Sequence, residues 1–94
     1  MTNQARSTIL VDNDRTCVTE WRFAPGEATG WHRHHFDYVV VPMTTGELTL
    51  VDGSGSEVVA QLTVGVPYFR KAGVEHDVVN RGDDEFVFIE IEYK

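Results

Sequence analysis

Apolar and polar residues alternate over short stretches along most of this 94-residue chain, and alternation with a period of two is typical of β-strands. Clusters of glycine, proline, asparagine and aspartate separate these stretches, as turns do. No stretch sustains an apolar period of about 3.6 residues, so no long helix is predicted. The pattern predicts strands near residues 7–11, 17–23, 30–34, 37–41, 47–51, 57–62, 67–71, 76–80 and 85–92. Many short strands at this spacing indicate an all-β sandwich or barrel.

The last predicted strand shows the alternation most clearly. It ends with Ile89, Glu90, Ile91 and Glu92. Because successive side chains of a strand point to opposite faces, the two isoleucines are predicted to face the core and the two glutamates to face water.

The histidines are concentrated in two of the predicted strands. His32 and His34 share one strand face, and His76 lies in a distant strand, where Val78 and Asn80 share its face. Neutral imidazole nitrogens bind iron, nickel, copper and zinc. If His76 comes from a neighbouring strand, these three histidines predict a three-nitrogen metal site. His35 points to the opposite strand face from His34 and is expected at the surface or at a pocket rim.

Length and charge limit the class of protein. A chain of 94 residues forms one domain, spanning 1–94. Such a small domain buries about 60–65% of its unfolded surface, so a homodimer is expected to supplement its core. The formal net charge of −7 argues against nucleic-acid or anionic-membrane binding, because both need a basic face. Neither nucleic acid nor a membrane is therefore expected as a partner.

Cysteine usage and hydropathy indicate a cytoplasmic protein. Cys17 is the only cysteine, so no internal disulfide forms, which fits a reducing compartment. Residues 1–7 are polar and do not resemble a signal peptide. The densest apolar run, residues 39–43, is far too short to cross a bilayer.

Two spaced patterns resemble the signature motifs of the cupin superfamily. The first motif is a glycine, five residues, His-x-His, three or four residues, a glutamate, six residues and a glycine. Gly26, His32, His34 and Gly46 fall on that spacing, with Val39 at the glutamate position. This chain therefore lacks the usual carboxylate ligand at that position.

The second motif is a glycine, five residues, Pro-x-Gly, two residues, a histidine, three residues and an asparagine. Gly65, Gly73, His76 and Asn80 match it, with Lys71 in place of the proline. Together the motifs span residues 26–80, more than half of the chain. The resemblance implies a jelly-roll barrel, the double-stranded β-helix, that holds one metal ion inside.

By position in the motifs, the implied metal ligands are His32, His34 and His76. The chain resembles the three-histidine cupins, which include diketone-cleaving and thiol dioxygenases. It is also similar to small single-domain bacterial cupins that carry the run Gly-Trp-His-Arg-His, residues 30–34 here. Some of those cupins are encoded near amino-acid or β-alanine catabolism.

Three neutral imidazoles leave the full charge of a divalent ion uncancelled, which favours an anionic or chelating substrate. Open positions on nitrogen-bound iron permit O₂ chemistry, so iron is favoured, with nickel, zinc, manganese and copper as alternatives. The sequence thus predicts a dioxygenase or other oxidoreductase acting on a small diketone, thiol or carboxylate. The alternative is a non-catalytic accessory cupin that binds a metal or small molecule in a catabolic pathway. A metal-free isomerase type fits the paired histidines less well.

Several further residues are candidates for the substrate pocket. Tyr68 and Arg70 share a strand face, where Arg70 either clamps a substrate carboxylate or lies on the surface. Val39 either simply replaces the glutamate ligand of the motif or also forms an apolar wall for the substrate. Tyr38 is expected to pack beside the pocket. Asp37 joins the metal site if a bulge turns the chain, or it accepts a hydrogen bond from a ligating imidazole.

Overall fold

The protein is an all-β chain, seen in a computed structural model that describes residues 3–94. Residues 1–2, part of the polar N-terminal stretch considered above, lie outside this range. Within residues 3–94 there is no helix, and hence none long and apolar enough to cross a membrane. The strands are β1 (Arg6–Asp12), β2 (Thr16–Phe23), β3 (His32–Arg33), β4 (Asp37–Pro42), β5 (Gly46–Val51), β6 (Glu57–Leu62), β7 (Tyr68–Arg70), β8 (Glu75–Val79) and β9 (Phe86–Tyr93).

These strands form two antiparallel sheets. The order in the first sheet is β1-β2-β9-β4-β7, and the order in the second is β3-β8-β5-β6. In each sheet a late strand lies between two early ones: β9 separates β2 from β4, and β8 separates β3 from β5. This arrangement confirms the predicted all-β jelly-roll fold, and all nine predicted strands are present.

The hydrophobic core lies between the sheets and is rich in aromatic side chains. Phe23 on β2 is fully buried, and its ring centroid lies 5.5 Å from that of Phe88 on β9. Full burial of one such side chain contributes about 1.5–3 kcal/mol. The remaining buried members of this cluster are Ala5, Tyr38, Val40, Leu48, Val78 and Phe86.

Asn80, which ends the second motif, joins three parts of the fold. Its side chain is almost fully buried, and Nδ2 donates hydrogen bonds to the carbonyl oxygens of Phe23 (3.0 Å) and Asp84 (2.8 Å). Its Oδ1 accepts a hydrogen bond from the Gly82 N–H (3.0 Å). Asn80 therefore fixes the turn between β8 and β9 against the end of β2.

The predicted orientation of β9 is wrong. Glu90 is only 8% exposed and lines the interior, together with Phe88 on the same strand face. Ile89 and Ile91 point to the opposite, outer face and are half-buried. The prediction failed because both faces of β9 carry apolar residues: Phe86 and Phe88 share the inner face with Glu90, and Ile89 and Ile91 lie on an outer face that is also apolar.

Candidate metal centre and its cavity

The fold brings the three candidate histidines together from two neighbouring strands. His32 on β3 is directly paired with His76 on β8. His34 lies just beyond β3, where its N–H donates to the Val74 carbonyl (2.9 Å) and its carbonyl accepts from the Gly73 N–H (2.8 Å). These bonds extend the pairing past the end of the strand. His34 consequently stays on the same face as His32, as alternation predicted.

The three rings point their Nε2 atoms at one another. The Nε2 atoms of His32 and His34 are 3.0 Å apart, and those of His34 and His76 are 3.1 Å apart. With metal–nitrogen bonds of about 2.1 Å, nitrogens at right angles lie about 3.0 Å apart, and nitrogens at the tetrahedral angle lie about 3.4 Å apart. The spacing of these two pairs therefore fits neighbouring positions on an octahedral ion, and ligand atoms of all three histidines lie within 4.8 Å of one another.

The tautomer of His32 also suits metal binding. Its Nδ1 lies 2.9 Å from the Gly30 carbonyl oxygen, and because a carbonyl can only accept, Nδ1 carries the proton. The Nε2 lone pair is then free. Thr29 Oγ1 lies 3.2 Å from the same Nδ1 and also accepts a hydrogen bond from the Val78 N–H (3.2 Å). Such outer contacts orient ligating imidazoles.

Burial keeps two of the imidazoles neutral. The pKa of His34 falls from 6.5 to about 4, first because of burial and then because of the neighbouring histidines. The pKa of His76 falls to about 4 for the same leading reason, with His32 adding to it. At neutral pH both rings are uncharged, which is the form that binds a metal ion.

Tyr38 packs against the histidines from β4. Its ring stacks on His34, with 3.9 Å between ring centroids and 18° between planes. Burial raises the pKa of Tyr38 to about 12, and Glu90 is the next contributor, so its phenol stays protonated at neutral pH. Tyr38 thus holds the His34 ring in place and lines the cavity described below.

The structure does not bring Val39 to this site. Val39 pairs with Phe69 on β7 and Ile91 on β9, and it is absent from the residues that line the cavity. Asp37 also lies elsewhere: it is exposed, and its Oδ1 accepts a hydrogen bond from the Ala72 N–H (2.8 Å). His35 is exposed, as expected.

A cavity of about 470 Å³ opens beside the three histidines. This volume is within the usual range for small-molecule sites, about 300–1,000 Å³. Apolar side chains such as Leu48 and Leu50 form much of its wall. Its polar lining, besides the histidines, comes mainly from Tyr38, Tyr68, Arg70 and Glu90. The cavity can therefore enclose a small molecule that touches both the histidines and a few polar groups.

Arg70 and Tyr68 both line the cavity, as the shared strand face predicted. The Arg70 guanidinium carbon lies 4.6 Å from the Tyr68 ring centroid, a cation–π distance, and Nη1 donates to the Phe69 carbonyl (2.8 Å). Among residues 3–94, no carboxylate forms an ion pair with Arg70. Its exposed guanidinium is thus oriented and has hydrogen-bond donors available for an anion.

Glu90 is the cavity residue that sequence reasoning missed. Burial raises the pKa of its carboxyl to about 7, and Glu92 adds to the shift. Because alternate residues share a strand face, Glu90 lies on the same face of β9 as the buried aromatic residues Phe86 and Phe88. This pattern could have predicted that Glu90 faces the interior. Thr29, which contacts His32, had no comparable signal because it lies in a loop.

Comparison with known proteins agrees with this geometry. Residues 19–92 match the cupin domain family. The chain belongs to the cupin family. It is 56% identical over 91 residues to the beta-alanine degradation protein BauB of Pseudomonas aeruginosa, covering 97% of this chain and 95% of that protein.

Solved structures also resemble this cupin over its whole length. The crystal structure of a cupin domain from Bordetella pertussis superposes with a TM-score of 0.95 and 58% identity, covering 100% of this chain and 97% of the other. The polyketide cyclase RemF of Streptomyces resistomycificus shares the fold, with a TM-score of 0.72 at 20% identity, covering 98% and 68% of the two chains. Small bacterial cupins are therefore its relatives.

Proposed function

We propose that this cupin holds one divalent transition metal on His32, His34 and His76 and uses it to bind a small metabolite. The observation that carries the proposal is the 3.0–3.1 Å spacing of the Nε2 atoms beside the cavity. The name of the 56% identical relative supports a role in β-alanine degradation. The single cysteine supports a reducing compartment, and we propose the cytoplasm.

Iron is the metal that we favour. Three protein nitrogens would leave positions open on a six-coordinate ion, as iron oxygenases require. When bound, such an ion polarises a carbonyl oxygen and provides a place for O₂ to react. Nickel, zinc, manganese and copper remain candidates, because imidazole discriminates weakly among these ions.

The chemistry of the cavity and of β-amino acids points to one substrate class. Transamination of a 3-amino carboxylate, in which a 2-oxo acid takes up the amino group, leaves a 3-oxo carboxylate with two oxygen functions at chelating distance. Uncancelled metal charge favours such an anionic chelator. Arg70 can pair with its carboxylate in a two-pronged contact. We therefore propose a dioxygenase acting on a small 3-oxo acid, and among the wider group of diketones, thiols and carboxylates this class fits best.

Metal analysis tests the metal centre. Untagged protein purified without added metal should carry close to one transition metal per chain, and His32→Ala and His76→Ala should abolish that content. His35→Ala is the matched control, because His35 is an exposed neighbour outside the cluster. Equal traces of metal in all four proteins would overturn the proposal.

Oxygen uptake separates the enzyme from the accessory protein. Iron-loaded wild-type protein should consume O₂ when a 3-oxo acid is present and not when it is absent. The His76→Ala variant should consume no O₂ in either case. Ligand binding at the metal without any uptake across 3-oxo acids, diketones and thiols would instead support the accessory alternative. In that case the protein binds the metabolite without converting it.

We also propose a homodimer, formed through the outer face of the first sheet. One row of apolar residues crosses all five strands of this face: Val11, Val18, Ile91, Val39 and Phe69. At about 4.8 Å per strand and 3.4 Å per residue, the 32 residues of these five strands cover roughly 500 Å². A stable interface needs roughly 800 Å² per partner, so a second copy must also cover the exposed β1 edge, including Ile9 and Leu10.

Light scattering after size-exclusion chromatography tests the dimer. The wild-type protein should have the mass of two chains, and Val39→Lys should have the mass of one. Because Val39 does not line the cavity, the variant should retain the wild-type metal content. A wild-type monomer would refute the dimer without affecting the metal proposal.

A further inference from the structure

The Glu90 side chain is largely buried, but its carboxyl oxygens are accessible from the cavity. Glu90 is 8% exposed, and within residues 3–94 its carboxyl forms neither a hydrogen bond nor an ion pair. A largely buried carboxyl group that meets no protein partner takes its hydrogen bonds from cavity water or from a ligand. Because Glu90 lines the cavity, its partner must come from the cavity.

The strand register leaves the Glu90 side chain open toward the cavity. Glu90 is paired with Val40 on β4, and Val40 is paired with Tyr68 on β7. All three residues line the cavity, and the short Val40 side chain separates the two polar ones. The two polar side chains therefore lie on the same wall of the cavity, with one apolar residue between them.

Glu90 is also within reach of the histidines. A ring nitrogen of His34 and carboxylate oxygens of Glu90 and Glu92 all lie within 4.8 Å of one another. A ligand held at the three histidines thus lies close enough to place one of its own groups against the Glu90 carboxyl. Arg70, on the next strand but one, supplies the positive charge of the same wall.

We propose that Glu90 determines ligand specificity by accepting a hydrogen bond from a hydroxyl group of a small hydroxy- or enol-carboxylate whose acid group pairs with Arg70. A hydroxyl is preferred to an ammonium group, because a divalent ion at the histidines repels a second cation. The inference rests on the proposed function only in placing the ligand in this cavity.

Binding of two acids that differ by one hydroxyl tests this role. Calorimetry of the metal-loaded wild-type protein at pH 8.5, where Glu90 is ionised, should show that 3-hydroxypropanoate binds about 10–100-fold more tightly than propanoate, as expected for a hydrogen bond to a charged group. Glu90→Leu should bring the ratio of the two affinities close to one while leaving propanoate binding nearly unchanged. Glu90→Gln should give an intermediate ratio, and it serves in place of the leucine variant if that protein does not fold.

A second variant and metal analysis separate this role from its rivals. Arg70→Met should weaken both acids equally and keep their ratio, because it removes only the carboxylate contact. Metal content of Glu90→Leu should equal that of the wild type. Loss of metal in Glu90→Leu would show that Glu90 is a metal ligand, alongside His34 or in a second cation site, and would overturn the inference.

Equal wild-type affinities for the two acids, or no binding of either acid, would also overturn the inference. These outcomes leave the metal proposal untouched, because that proposal is decided by the metal content of the histidine variants. Conversely, a wild-type protein without metal that still prefers 3-hydroxypropanoate, with the preference lost in Glu90→Leu, would support Glu90 and refute the metal centre.

Discussion

Replacing Asn80 with alanine should be among the most destabilising changes in this protein that do not touch the histidines. The side chain is 1% exposed and makes three hydrogen bonds, two through Nδ2 and one through Oδ1. Asn80→Ala leaves two carbonyl oxygens and one N–H without these partners. Because the site is buried, bulk water replaces them poorly.

The size of the effect follows from these three bonds. Each orphaned buried polar group costs about 1–3 kcal/mol. Water entering the space left by the side chain would reduce that cost, so we take the lower end and expect a loss of about 3 kcal/mol in the free energy of unfolding. For a domain of this size that corresponds to a fall in Tm of about 12–24 °C.

Asn13 provides a matched control in the same chain. Its Oδ1 accepts three hydrogen bonds, from the Arg15 N–H, the Thr16 N–H and the Thr16 hydroxyl, at 2.9, 2.9 and 3.1 Å. Asn13 is exposed, so water can replace these contacts, and Asn13→Ala should cost about 1 kcal/mol or less. Asn80→Asp should be at least as harmful as Asn80→Ala, because it turns a carboxyl oxygen toward two carbonyl oxygens.

Urea unfolding followed by tryptophan fluorescence measures these differences at constant pH. The midpoints should fall in the order wild type, Asn13→Ala and then the two Asn80 variants, with similar slopes. Metal content per folded chain should not change in any of them. If Asn80→Ala and Asn13→Ala destabilise the protein equally, the argument from burial is wrong.

Three further predictions concern the site. The pKa values of His34 and His76 are lowered to about 4 in the folded protein, so as the pH falls the unfolded chain binds protons first, and the metal-free protein should lose stability between pH 6.5 and 4. The raised pKa of Glu90 has the opposite effect on stability over part of this range, so urea midpoints should be measured in Glu90→Gln. Thr29→Val should weaken metal binding about 10–100-fold in chelator competition, with Thr29→Ser nearly normal. Tyr38→Glu should tighten metal binding by adding a carboxylate beside His34, whereas Val39→Glu should not. Tighter binding in Val39→Glu but not in Tyr38→Glu would refute the placement of both residues.

The strands and the histidine cluster could be predicted because both depend on local information. Alternation within a few residues places His32 and His34 on one face, and turn residues mark where each strand ends. The pairing of His32 with His76 joins residues far apart in the chain. No local pattern specifies that pairing, and only the spacing of the family motifs suggested it.

The position of Val39 shows how two local rules can disagree. Counting back from Gly46 by the motif spacing selects Val39 as the substitute for the usual glutamate. The motif allows three or four residues after His34, and the three-residue spacing selects Tyr38, which is the residue that the structure places against His34. The count from Gly46 crosses the turn after β4, residues 43–45, where the loop does not preserve strand parity.

The inverted orientation of β9 has a different cause, and it bears on the assembly. An apolar face normally marks the side that excludes water, which in a lone sandwich is the interior. Here Glu90 and Glu92 lie on the inner face of β9 near His34, and the apolar residues Ile89 and Ile91 lie on the outer face. Selection that only favoured solubility of a monomer would not keep an apolar row across an outer sheet face. The apolar outer face that led to the wrong orientation of Glu90 therefore supports the proposed dimer, in which the inner face of the sheet lines the cavity and a second copy covers the outer face.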